Sequence, residues 1–424
     1  MSRIVIRGAR VIDPSQNLDS VQDILIDKGK IKAIGQSLFE MEALEIDAKG
    51  MVACPSFIDL HTHLREPGQE YKEDIGSGSK CAVAGGFTLV VSMPNTNPPV
   101  DSPEVAKYII HRAKSIGLCK VIPSGALTVG RKGSELTDFF ALKEAGCLAL
   151  TDDGAPLMDS KLMELALRRA SQLDLLVMNH CEDSKIATGS INLGKVSSLL
   201  GLYPRPKSAE DILVARDCIL SLYTGGKLHI QHISSPLSVE IIEFFKSKGA
   251  PISCEINPYH LFFSEEELLK SGADAKVNPP LRGEKDRELL LSALRAGIID
   301  CIATDHAPHA TWEKSRLDSA MPGMIGLQLA LPLSLRLVEE GYISLIRLVE
   351  LLSLAPSRIL GLKDQPSLKV GAKANITVFD PNYTWVLNES TSFSKSKNTP
   401  LWGKTLKGKV VLTIFEGRVV YSDV

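Results

Sequence analysis

Phe57-Ile58-Asp59-Leu60-His61-Thr62-His63-Leu64-Arg65 reads as a buried strand that ends in a pair of imidazoles. Pro55 upstream and Pro67-Gly68 downstream bound the run, and a short apolar stretch between turn residues is the pattern of a core strand. On a strand, residues i and i+2 share a face, so His61 and His63 emerge together at its C-terminal end. Two converging neutral imidazoles suit a borderline-soft divalent ion, with zinc the leading candidate. Asp59 and Arg65 have the same parity and bring a carboxylate and a cation toward that cluster. A lone His-x-His often reflects nothing more than strand polarity, so its meaning depends on whether the rest of the chain repeats the pattern.

The chain does repeat it. Apolar strands are predicted near 52–60, 87–93, 119–125, 147–152, 174–179, 227–233, 251–256 and 299–304, with helices such as 160–172, 209–223 and 284–296 between them. Eight strands in βα alternation predict an α/β chain folded as a (β/α)8 TIM-like barrel rather than an open doubly wound sheet. No G-x-G-x-x-G follows a strand, as an open dinucleotide-binding sheet would require. Both ends of the chain carry short alternating segments broken by Asp-Pro, Lys-Gly and Glu-Gly turns. They predict a small antiparallel sheet, the core of a β-sandwich-like accessory domain built from residues 1–54 plus 366–424, with the catalytic barrel at 55–365. The long polar stretch 181–208 is expected to be disordered or to form a mobile cover over a site.

Composition narrows the function. A chain of 424 residues with 44% apolar side chains can bury a sizeable core, and a formal net charge of −2 argues against nucleic acid as a partner. No apolar run is long enough to span a bilayer, and the N-terminus lacks the apolar core of a secretory leader, so no membrane role is expected. The eight cysteines are scattered without a C-x-x-C pair, which predicts reduced core thiols in a cytoplasmic protein.

The polar residues gather where the strands end. After the first strand come His61, His63 and Arg65; after the second, Asn95; after the fourth, Asp153; after the fifth, His180. The sixth strand ends in His232 and the eighth in Asp305-His306-Ala307-Pro308-His309. In a (β/α)8 barrel these ends ring one mouth. His111 reads as part of a solvated helix face, His229 has the wrong parity beside His232, His260 fits a backbone contact, and His306 fits a structural role as well as a functional one.

His61, His63, His180, His232, Asp153 and Asp305 exceed what one tetrahedral catalytic zinc requires, which implies one or two metals per chain. Asp153 is placed to bridge two ions about 3.5–4 Å apart, and Asp305 to carry a proton between a nucleophile and a leaving nitrogen. Such a set performs metal-assisted hydrolysis, or its reverse, on an amide-like bond. Arg65, Asn95 and His309 supply donors for a carboxylate, while Asn278 and the Pro322-Gly323 backbone are placed to meet a flat ring. A small anionic substrate with amide groups fits these residues. Cys181, next to His180, is either an inhibitory metal contact or a loop thiol that points away.

The residues 57–68, Met93-Pro94-Asn95-Thr96, Thr151-Asp152-Asp153-Gly154, His180-Cys181-Glu182-Asp183 and Ala303-Thr304-Asp305-His306-Ala307-Pro308-His309 closely resemble the motifs of dihydroorotases of the long, bacterial (class I) type, in the amidohydrolase superfamily. Gly371-Ala372-Lys373-Ala374-Asn375-Ile376 resembles their returning accessory strand. The resemblance implies reversible cyclisation of N-carbamoyl-L-aspartate to (S)-dihydroorotate with loss of water, the third step of pyrimidine biosynthesis. It further implies His61 and His63 on a first metal, Asp153 as bridge, His180 and His232 on a second, and Asp305 as ligand and acid/base. His63, Arg65, Asn95, Asn278, His309, Pro322 and Gly323 would then meet substrate. The nearest rival is a hydantoinase- or allantoinase-type cyclic amidohydrolase; many such enzymes bridge their metals with a carbamylated lysine, and Asp153 in that place, with Arg65 and Asn95, counts against it. A non-catalytic or partner-activated subunit of an aspartate transcarbamoylase complex is the rival from another class, and a homodimer is a family-level expectation.

Overall fold

The computed structural model describes residues 3–423. Eight short parallel strands form its centre: Phe57–Thr62, Phe87–Ser92, Lys120–Pro123, Ala149–Leu150, Leu176–Asn179, Leu228–Ile230, Ile252–Ile256 and Cys301–Ile302. Seven lie within their expected runs, in chain order; the expected 52–60 divides at Ser56, its front Val52–Pro55 joining another sheet while the barrel strand runs on to Thr62. Regular pairing covers the first three and the last five as separate ladders. Two parallel bridges, Gly125 with Leu150 and Thr62 with His306, join the ladders at both seams and close the barrel. His63 N–H donates to the His306 carbonyl at 2.8 Å across the second seam.

Helices cover the outside, and their ends follow from local chemistry. Asp159 accepts from Leu162 N–H and starts Ser160–Gln172, whose buried Met163, Ala166, Leu167 and Ala170 recur at helical spacing. Asp74 and Ser77 form a reciprocal capping box at the start of Ile75–Ala84.

The two chain ends meet in one eight-stranded sheet. Val52–Pro55 pairs antiparallel with Ile376–Val386, placing Cys54 opposite Thr377, and Thr405–Phe415 and Arg418–Ser422 extend that edge. The sheet is not wholly antiparallel. Ile4–Asp13 pairs in parallel with Leu44–Asp47 along its first half and with Val52–Pro55 along its second. The turn at 48–51, with Gly50 at φ +78°, lets two short strands share one edge.

The sheet packs on the N-terminal side of the barrel. Phe57 meets Phe87 edge-on at 5.6 Å and Phe379 at 6.5 Å. A Cβ on Gly86 would lie 2.6 Å from Thr377 Cγ2, so this contact requires glycine. The stretch 181–208 is folded rather than disordered. Ile191–Asn192 pairs with Pro204–Arg205, helix Lys195–Leu200 lies between them, and the buried Glu265 binds Asn192 Nδ2 and Lys195 N–H.

Candidate metal centre and substrate cleft

His61, His63, Asp153, His180, His232 and Asp305 are all buried and converge at the C-terminal ends of the barrel strands. Asp153 is the hub. Its Oδ1 lies 3.4 Å from His61 Nε2, 3.7 Å from His180 Nδ1 and 3.7 Å from His232 Nε2, and its Oδ2 lies 3.5 Å from His63 Nε2. Asp305 Oδ1 stands 3.1 Å from His63 Nε2 and 3.5 Å from His61 Nε2. Two triads, His61-Asp153-His232 and His61-His63-Asp305, bring three ligand atoms within 4.8 Å of one another.

These residues fit a divalent metal. His61 Nε2 is buried without a hydrogen-bond partner, while its Nδ1 lies 2.8 Å from Glu255 Oε1. A carboxylate at Nδ1 fixes the proton there and aims the Nε2 lone pair into the cluster. Asn95 Oδ1, 2.9 Å from His63 Nδ1, does the same for the second imidazole. Ligand atoms about 2.05 Å from a tetrahedral ion stand about 3.3 Å apart, close to most of the separations above. His180 Nδ1 and His232 Nε2 are tighter, at 2.8 Å. Burial alone would raise both aspartates. With no metal between them, the two aspartates hold His61 protonated against its own burial. Its charge, with that of its neighbours, outweighs burial and holds Asp153 well below, and Asp305 below, the usual carboxylate range; a bound metal takes the place of that proton.

The cleft above the cluster has a volume of about 220 Å³ and is lined by Arg65, Asn95, Asn278, His309 and Pro322 together with His63, Asp153, His180, His232 and Asp305. Arg65 is buried, donates from Nε to the Pro308 carbonyl at 3.2 Å, and has no carboxylate within 4.0 Å among the described residues. Burial pushes its guanidinium down to about 10. His309 is held at about 3 by burial and by the adjacent Arg65 and Lys72. Its Nε2 lies 3.0 Å from the Pro322 carbonyl. Asn278 donates toward His180 Nε2 and Glu182 Oε2 and accepts from Arg205. Gly323, at φ +147°, sits against Ala307 and His309, where a Cβ would come within 2.7 Å of Ala307 Cβ. Arg65, Arg131, His232 and Asp305 all have positive φ, and such backbone strain in non-glycine residues gathers at functional sites.

Some residues fall elsewhere than expected. Cys181 is not brought to the cluster: its Sγ lies 3.4 Å from Asp217 Oδ2 and 3.5 Å from Asn179 Nδ2, because adjacent residues leave a strand end on opposite faces. Burial, then Asp217, push that thiol well up. Asp59 binds Thr304 rather than an imidazole side chain. His306 faces Glu73 and accepts from Gly326 N–H, and His260 Nε2 donates to the Pro279 carbonyl. Glu255, which joins His61 to His229, and Arg131, which donates to the Asp153 carbonyl, were not anticipated as site residues. Arg131 sits in the turn Gly130-Arg131-Lys132-Gly133, where nothing in the pattern separates it from a surface cation.

A closed barrel with this donor set at its mouth defines an enzyme of the amidohydrolase class, with residues suited to a metal. Solved structures agree on the fold. The L-hydantoinase (dihydropyrimidinase) of Arthrobacter aurescens superposes with a TM-score of 0.88 at 24% identity, over 100% of this chain and 96% of that one. The dihydropyrimidinase of Brevibacillus agri NCHU1002 gives 0.84 at 24%, over 99% and 95%. Residues 50–238 match the family model described as dihydro-orotase-like. The dihydroorotase of Aquifex aeolicus (strain VF5) is 58% identical over 423 residues, 100% of each chain to the nearest percent, and that of Sulfurihydrogenibium sp. (strain YO3AOP1) is 50% identical over 99% of this chain and 100% of that one. The chain belongs to the dihydroorotase family.

Proposed function

We propose that this chain is a zinc-dependent dihydroorotase that interconverts N-carbamoyl-L-aspartate and (S)-dihydroorotate. The observation that carries the reading is the convergence of four imidazoles on Asp153 and Asp305, beside a buried Arg65 whose charge no carboxylate among the described residues matches within 4.0 Å. His61, His63, Asp153, His180, His232 and Asp305 would hold the metal, one ion or two, and a metal held there would supply Lewis-acid polarisation of the ring carbonyl and bring a water's pKa toward neutrality.

The protein's own part is positional. Arg65, Asn95 and His309 bind the substrate carboxylate, and Arg65 provides the two-pronged donor face such a group fits. Asn278 and the Pro322-Gly323 backbone face the amide edges of the ring. Asp305 takes a proton from the attacking water and delivers it to the ring nitrogen in hydrolysis. In the cyclisation direction it runs the same transfer backward. Tyr259 Oη, 2.9 Å from Asp305 Oδ2, orients that carboxylate. An Asp305→Ala chain loses about 10²–10⁴-fold in turnover, the usual worth of a positioned acid/base.

The proposal extends to an accessory unit of residues 1–54 plus 366–424 with a catalytic barrel of 55–365, a cytoplasmic homodimer, and docking to aspartate transcarbamoylase. The deciding experiment measures turnover of both substrates by the purified chain and counts zinc on the same sample. Activity with zinc supports a self-sufficient enzyme. Zinc without activity shifts the reading to a partner-activated subunit, tested by adding aspartate transcarbamoylase. Neither zinc nor activity, after metal is supplied, overturns it.

A further inference from the structure

Lys314 ends the short helix Thr311–Lys314 and is buried, yet no carboxylate lies within 4.0 Å of its ammonium among the described residues. Its Nζ instead donates to three main-chain carbonyls: Lys276 at 3.0 Å, Met321 at 3.0 Å and Gly323 at 3.1 Å. These carbonyls belong to two separate walls of the cleft. Residue 276 lies two positions before Asn278, and residues 321 and 323 flank Pro322, whose carbonyl faces His309 Nε2. Gly323 N–H donates to the Lys276 carbonyl at 2.9 Å, and Asn398 Nδ2 donates to the Gly323 carbonyl at 2.9 Å, so the same junction is tied three ways.

We propose that Lys314 is a positioning residue that pins the Asn278 wall to the Pro322-Gly323 wall and so sets the width of the ring-binding part of the cleft. The inference rests on reading the cleft as a dihydroorotase site. An ammonium has three N–H groups for three carbonyls, whereas a neutral amine has two and leaves one buried acceptor unpaired. Asp274, Lys276 and His309 are the titratable groups around it, with Arg205 beyond Lys276. Burial, with Lys276 adding to it and Asp274 opposing, brings the Lys314 amine down to about 7. The pin is therefore complete in mildly acidic solution and loses one bond as pH rises through neutrality.

The test compares the full chain with its Lys314→Met and Lys314→Arg variants, all metal-loaded and with metal counted. In Lys314→Met, KM for dihydroorotate is expected to rise about tenfold or more while kcat changes by less than about threefold, the signature of a lost ground-state contact surface. Metal content stays that of the parent. Lys314→Arg, which keeps the charge and several donors, recovers part of the KM and does not lose it between pH 7 and 9, where the parent does.

A second readout needs no activity. Between pH 7 and about 10.4 the unfolded lysine holds a proton that the native one has released, so the parent gains stability with rising pH and Lys314→Met does not. Unchanged KM in Lys314→Met, or parallel stability curves for the two chains, overturns the proposal. If the parent fails to turn over dihydroorotate while its stability shows the Lys314-dependent rise, the substrate reading fails and the pin stands.

Discussion

Glu255 shows how a single side chain governs the metal cluster without entering it. It is fully buried between two imidazoles, Oε1 at 2.8 Å from His61 Nδ1 and Oε2 at 3.1 Å from His229 Nε2. Burial would raise its pKa, and the two hydrogen bonds outweigh that and hold it at about 2. An anion at this position keeps the His61 proton on Nδ1 and the Nε2 lone pair directed at Asp153 and Asp305. Glu255→Gln keeps the shape and removes the charge, and is expected to weaken metal binding about 10–100-fold. Chelator competition followed by metal counting measures that loss without recourse to turnover. Cys181 gives the opposite expectation. Its thiol faces Asp217, so Cys181→Ser leaves metal affinity unchanged in the same assay. All eight thiols are free and buried, and burial pushes Cys119 up to about 11 and Cys147 up to about 12. The native chain should therefore react slowly with a thiol reagent and yield eight thiols only once unfolded.

Among the elements, the excursion 181–208 is where sequence pattern and structure part most clearly. The barrel strands were legible because each joins a short apolar run to a polar end, as in Leu60-His61-Thr62-His63 and Ala303-Thr304-Asp305. Their observed lengths are shorter, only two residues in Ala149–Leu150 and Cys301–Ile302. Apolarity marks what is buried, while ladder pairing also needs a neighbour in register. The ligand candidates stood out by strand position and residue type, with parity joining His61 to His63 and setting His232 apart from His229. Asp153 is the second of two adjacent aspartates, and Asp152 turns away to Thr128. Lys72 and Lys314 carry no strand-end mark at all; Glu255 stands at the end of the seventh strand, but its place beneath His61 depends on a partner 194 residues away. The excursion looked disordered for the same reason. Its order comes from Glu265, Arg282 and Asn278, which lie well beyond it in the chain. A Cβ on Gly194 would stand 2.4 Å from Glu265 Oε2, and that carboxylate is buried and already bound to Asn192 and Lys195 N–H. Gly194→Ala must therefore displace it, at about 1–3 kcal/mol for the bonds left unmade. Limited proteolysis is expected to cut the variant within 181–208 while the parent resists. Equal resistance of the two would show that Glu265 does not secure the excursion.

At the scale of the whole molecule, the sheet built from the two chain ends and the barrel share one core. Ile12, Val52, Cys54, Phe379 and Val410 from the sheet belong to the same buried cluster as Phe57, Phe87, Val90 and Leu327 of the barrel. Polar ties cross the same boundary: Thr377 Oγ1 donates to the Gly86 carbonyl at 2.6 Å, and Thr413 Oγ1 to that of Val83 at 2.7 Å. Gly86, with its Cβ position already filled by Thr377 and Phe57, shows how closely the two backbones approach. Parts joined through a common apolar core lose stability together, because exposing either face costs roughly 25 cal/mol per Å² of apolar surface. Phe379 lies at the centre of that contact, fully buried against Phe57. Phe379→Ala should cost about 3–5 kcal/mol, the range for deleting a buried aromatic ring. The loss should fall on the barrel as much as on the sheet. In a denaturant titration, the far-ultraviolet signal and release of bound metal from the barrel mouth should shift together to lower denaturant. A variant that keeps its metal at the parent's midpoint while the sheet melts early would instead make the two chain ends a separately folding unit.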